Sequence, residues 1–118
     1  MTTSMGLEKA LAQLWSAEVQ ERTTAGAEIR DLLSGYGKVE PQFGQLFPAI
    51  AGVLVVRALA EQEEIAREEM LNALADICVR ASIPLEVVAP LEGQDPVFEW
   101  ERAYIDDTLS NAAASGVQ

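Results

Sequence analysis

Nineteen carboxylates, one thiol and no imidazole are the groups with which this chain could do chemistry. Carboxylates act as paired acid and base, or as metal ligands, only where two or more converge on one point. Asp106 and Asp107 are consecutive in a helical stretch and so point about 100° apart. Glu99 and Glu101 diverge in the same way. Glu61, Glu64 and Glu68 do share one helical side, but helical di-metal sites combine such glutamates with histidines. Without histidine the chain also lacks the side chain that ordinarily titrates near neutrality. Cys78 would be a nucleophile only beside a cation that lowers its pKa, and Arg80, two residues on, points elsewhere on a helix. One cysteine makes neither a Cys-x-x-Cys pair nor a zinc cluster. Gly35 and Gly37 precede Lys38 without the spacing or the Ser/Thr of a phosphate loop, and read as a turn. The expectation is therefore no enzyme activity, no cofactor and no metal. The acidic run from Glu61 to Glu69 reads as solvated surface or as a docking patch for a basic partner.

Positioning would fall to helices. At 118 residues the chain is one domain, and at 49% hydrophobic and 23% charged it is globular. Alanine, leucine and glutamate dominate, and they lose little side-chain entropy in a helix. Strands are not expected, because the β-branched runs at Val53–Val56 and Leu85–Val88 have no clear partner strand. The net charge of −11 repels phosphate backbones and anionic membranes. The start, Met-Thr-Thr-Ser-Met, is not a secretory signal, and the most apolar run, Ala49 to Val56, is far short of the roughly 20 residues of a membrane span. With a single cysteine and a reducing environment implied, the expected location is cytoplasmic.

The pattern predicts an all-α, compact bundle of four or five helices with a single layer-pair core, flexible at residues 1–4 and in the tail 111–118. Leu7, Leu11 and Leu14, then Ile29, Leu32 and Leu33, recur at helical spacing from Met5 to Ser34. Ser4 is a candidate N-cap, and a bend or junction is expected near Thr23, Thr24 and Gly26. Lys38 to Gln45 reads as a connector. Pro48 suits the first position of a helix reaching about Leu59, which is apolar nearly all round and so belongs at the centre of the bundle or in a subunit interface. Ala60 to Arg80 reads as a further helix. Its acids at 61, 63, 64, 68 and 69 face water, Arg67 makes an exposed pair with Glu63, and Ile65, Met70, Ala73, Leu74, Ile77 and Cys78 supply the apolar side. Pro84 to Pro90 fits a short helix or an extended arm. Asp95 and Pro96 read as the cap and first position of a last helix, with Val97, Phe98, Glu101, Tyr104, Ile105, Thr108 and Leu109 on one face.

The aromatic residues Trp15, Tyr36, Phe43, Phe47, Trp100 and Tyr104 are candidate anchors for a partner. The segment Gln42 to Leu54 combines two of them with glycines and with a helix lacking a polar face, which is the composition of an interface centre. Residues 36–57, YGKVEPQFGQLFPAIAGVLVVR, in a small acidic helical chain of this length, are similar to the bacterial quorum-sensing antiactivators. The resemblance implies a cytoplasmic, helical homodimer that binds the ligand-binding domain of a LuxR-type transcription regulator and stops it from dimerising and binding promoters. The apolar pattern selects Tyr36, Phe43, Leu46, Phe47, Ile50, Val53, Leu54 and Arg57 as interface residues. Three other classes fit the composition: a small acidic chaperone for a secreted effector or phage structural protein, a DNA-mimic inhibitor using the 61–69 acids, and a structural subunit of a larger assembly.

Overall fold

The computed structural model describes residues 2–35 and 41–116, with side chains over 6–33 and 46–112. Thr2–Gln13 forms α1 and Val19–Gly35 forms α2. Ser4 is thus inside α1, not its cap. The junction falls at residues 14–18, where Leu14, Trp15 and Ser16 each donate to the carbonyl three residues back and wind up the last turn. The Glu18 N–H then donates to Ser16 Oγ, which turns the chain into α2. Thr23, Thr24 and Gly26, where a bend was expected, lie in the uninterrupted α2. Gly26 has a tertiary reason to be there: a Cβ would come within 2.9 Å of Glu69 Cβ and 3.1 Å of the Glu69 and Met70 backbone. The residue is what lets two helices cross this closely.

Helix α3 covers Pro41–Ala60. It is longer than the expected 48–59: Pro41 takes the first position, and Pro48 sits inside, where the helix forgoes its hydrogen bond to the Gly44 carbonyl. α4 is Glu64–Arg80, separated from α3 by a break at 61–63. A short α5, Leu85–Val88, runs into a 3-10 turn at Ala89–Leu91, and α6 is Glu101–Gly116. The described residues thus form six α-helices where four or five were expected. At the two ends α1 begins at Thr2 and α6 runs to Gly116. Asp95 and Pro96 do not open α6. Residues 92–100 form turns, and the helix start is served by Glu101, whose carboxylate accepts from the Val97 N–H at 3.3 Å.

The helices lie in two layers. α2, α4 and α6 sit side by side in one; α1 packs on α2, α3 on α4, and α5 on both α3 and α6. The result is a slab about 40 × 40 × 17 Å, thin in the direction of the layers. Successive helix pairs stacked in this way are the organisation of helical solenoids, although no internal repeat is readable in the sequence. The core between the layers holds Leu14, Ile29, Leu33, Leu54, Met70, Leu71, Leu74, Ile77, Ile83, Leu91 and Ile105, all essentially inaccessible to water.

Two charged clusters pin the layers together. Arg67 and Glu101 are both buried, with Nε and Oε1 2.5 Å apart and Nη2 and Oε2 3.2 Å apart, while Arg67 Nη1 donates to the carbonyls of Ala58 and Glu61 at 2.8 and 2.9 Å. The exposed Arg67–Glu63 pair expected from spacing is therefore replaced by a buried one between α4 and α6 that also holds the end of α3. Glu61, expected in water, is buried beneath Arg22, at 2.6 and 3.0 Å. Conversely Ile65 and Val97, expected on apolar faces, are 66% and 63% exposed.

Candidate protein-interaction surface

α1 and α3 lie on the same side of the slab but do not pack closely against each other. Between α1 and α3 runs an open groove of about 300 Å³, lined by Leu7, Glu8, Leu11, Leu46, Ala49, Ile50 and Val53. Six of these seven side chains are apolar. At one end Arg57 closes the groove: its Nε donates to the Leu14 carbonyl at 3.1 Å, and its guanidinium lies 5.4 Å from the centre of the Trp15 ring. Leu14 of α1 meets Arg57 of α3 while Leu7, Glu8 and Leu11 line the groove with Leu46 to Val53, so α1 and α3 run parallel and Glu8 lies toward the end away from Arg57.

The groove adjoins a second feature. Leu46, Ala49, Val53, Val56 and Ala60 recur at spacings of three and four along α3, and all but the half-buried Val53 are exposed, Leu46 by 45% and Val56 by 60%. A surface helix normally turns polar groups outward. Over its described side chains α3 turns none outward on this stripe, and Arg57, the one charged residue between positions 41 and 60, lies at the groove end.

The expected interface residues separate accordingly. Leu46, Ile50 and Val53 line the groove, and Arg57 ends it. Phe47 and Leu54 do not belong to it: at 6% and 0% exposure they point between the layers and are core. Tyr36 lies outside the described residues, and Phe43 is in the α3 backbone with its side chain outside them. Leu7, Glu8 and Leu11 were not among the expected residues. Their spacing of three to four is the same signal as that of a core helix, and only the gap between α1 and α3 reveals the second role. Trp100 and Tyr104 are turned to internal use. Trp100 stacks on Phe98 at 5.6 Å, meets Tyr104 edge-on at 5.7 Å and donates from Nε1 to Glu64 at 2.8 Å, and Tyr104 Oη donates to Glu68 at 3.3 Å. Burial, reinforced by Glu68, pushes the Tyr104 hydroxyl pKa up.

Four of the five acids of the 61–69 run have side-chain partners within the chain. Glu61 binds Arg22, Glu64 holds Trp100, Glu68 accepts from Tyr104, and Glu69 pairs with Arg30 at 3.1 Å. Desolvation alone would raise the Glu61 pKa, but the Arg22 hydrogen bonds and the Glu63 and Gln62 backbone N–H groups outweigh it, so the carboxyl is held below its ordinary value. Cys78 is buried, and desolvation with a lesser contribution from Asp107 pushes its thiol up to about 11, the opposite of an activated nucleophile. Among the described residues no cluster of three metal-ligating side chains occurs, and no helix is long and apolar enough to cross a membrane.

No family model, curated protein or solved structure matches the chain.

Proposed function

We propose that this chain is a protein-binding antagonist that sequesters a LuxR-type transcription regulator, covering the regulator's apolar dimerisation surface so that it neither dimerises nor binds DNA. One observation supports this reading above others: an apolar groove that continues onto a solvent-facing apolar helix stripe in a chain of net charge −11. The mechanism is competition. A binder that takes only the monomer draws regulator from the active dimer by mass action, to an extent set by its concentration relative to its dissociation constant. The surrounding acids repel DNA and favour encounter with a less acidic partner.

Co-expression of the tagged chain with the ligand-binding domain of a LuxR-type regulator, followed by size exclusion with light scattering, tests the proposal. The expected result is a discrete complex in which the regulator is monomeric, lost on Leu46→Asp, an exposed position where the change leaves the fold intact. A folded chain that retains no regulator refutes it.

A further inference from the structure

A groove beside a stripe with this periodicity constrains the shape of what can fill it. Leu46, Ala49, Val53, Val56 and Ala60 follow the three-and-four alternation of a coiled-coil seam, in which each apolar side chain of one helix enters a hole formed by four residues of its neighbour. Leu7 and Leu11 of α1 form a second, parallel wall. Two parallel helices with a gap between them offer such holes to a third helix. A flat sheet surface would reach the stripe but leave the groove empty, and an extended strand has the wrong side-chain period to fill both.

The charges at the two ends differ in sign, with Glu8 on one side and Arg57 on the other. Between positions 41 and 60 the helix carries no acid, so the one carboxylate that lines the groove is Glu8 of α1. A partner therefore gains from apolar contact along the middle, from a cation opposite Glu8 and from an anion opposite Arg57.

We infer that the α1/α3 groove and the α3 stripe together receive a single amphipathic helix of a partner protein, with apolar residues at alternating spacings of three and four and opposite charges at its two ends. This rests on the reading of the groove as a protein-binding surface and specifies the element that enters it. The mode is helix-in-groove recognition, in which a few anchors on one helical face carry the affinity.

The test uses the full chain and a fluorescein-labelled three-heptad peptide with leucine at the alternating positions, alanine and glutamine elsewhere, lysine near one end and glutamate near the other. A scrambled peptide of the same composition, whose leucines share no face, is the control. Fluorescence anisotropy should show saturable binding of the patterned peptide alone. Ala49→Glu and Val56→Glu, both exposed, should weaken it by about 30-fold or more, the scale of a binding anchor. Glu8→Lys should weaken it by about two- to five-fold, the scale of a rim charge pair, and a peptide with glutamate in place of its lysine should recover the loss. Equal binding of the scrambled peptide, or indifference to Ala49→Glu and Val56→Glu, overturns the inference. So does a wild-type homodimer that Ala49→Glu splits, because a second copy then occupies the face. Peptide binding without retention of a regulator leaves the inference standing and removes the regulator. Retention of a regulator by Val56→Glu as strongly as by the wild type does the reverse.

Discussion

Removing one partner of the Arg67–Glu101 pair should do more damage than any comparable change on the surface. Both side chains are buried, and Arg67 makes four hydrogen bonds: two to Glu101 and two to the carbonyls of Ala58 and Glu61. Arg67→Leu strands a buried carboxylate and removes the donor from both carbonyls. Breaking such a pair costs about 3–5 kcal/mol, set against a total stability of roughly 5–15 kcal/mol for a domain of this kind. Glu101→Leu leaves the guanidinium with its two carbonyl partners but without its counter-charge, at a cost of the same order. In the double variant no charge remains to be desolvated. The Ala58 carbonyl keeps the Glu61 N–H at 3.2 Å, and the Glu61 carbonyl loses its Arg67 donor, worth about 1–3 kcal/mol. The double variant should therefore be more stable than either single one, with a coupling of roughly 2 kcal/mol or more in the double-mutant cycle. Urea unfolding followed by circular dichroism measures this directly, with the midpoint shifting at constant slope. Single variants that lose less than about 1 kcal/mol, or a double variant that loses the sum of both, would refute the claim that these groups act as a unit in the core.

Gly26→Ala should destabilise by about 1–3 kcal/mol in urea unfolding, although alanine is the better helix former by roughly 1 kcal/mol, because the added methyl strikes Glu69 Cβ and neighbouring backbone. Cys78 should resist a thiol-disulfide reagent at pH 8 in the native state and react fully in denaturant; fast native labelling would contradict its burial and its pKa of about 11. Because the folded Glu61 pKa is depressed, its stabilisation is complete above the unfolded carboxylate range and is lost as pH falls through that range to the folded value. Between about pH 5 and pH 3 the urea midpoint should therefore fall more steeply for the wild type than for Glu61→Gln; parallel curves would remove Glu61 from the acid response. Thr108 Oγ1 is buried with no hydrogen-bond partner among the described residues, so Thr108→Val should be neutral or stabilising by about 1 kcal/mol, with a loss pointing to a polar partner.

The all-α class and much of the core were legible in the sequence, because Leu7, Leu14, Ile29, Leu33, Met70, Leu74 and Ile77 recur at the helical period and are buried. The errors have a common physical origin. Gly26 and Pro48 carry strong local signals against helix interiors, yet tertiary contact overrides both: a close crossing demands the glycine, and burial along α3 compensates the bond that the proline forgoes. Glu61 and Arg67 are typical surface residues whose burial depends on partners 39 and 34 positions away, a distance no local period encodes. Phe47 and Leu54 were inseparable from Leu46 and Val53 by composition; the direction in which α4 lies separates them.

These buried pairs also shape the candidate surface. Of the eight basic residues, Arg22, Arg30, Arg67, Arg80 and Arg102 are in ion pairs with acids of the same chain. Each pair neutralises one acid locally, but the basic residues are too few to match nineteen carboxylates, and the outward field stays negative. The α3 stripe and groove interrupt that field with an apolar surface that, among the described side chains, has Glu8 along it and Arg57 at its end. An anionic surface is repelled before contact, a purely apolar one is offered nothing at either end of the groove, and a helix with an apolar seam and charged ends meets both requirements. Selectivity would then arise mainly from what the acids exclude, and binding energy from the apolar face that they leave open.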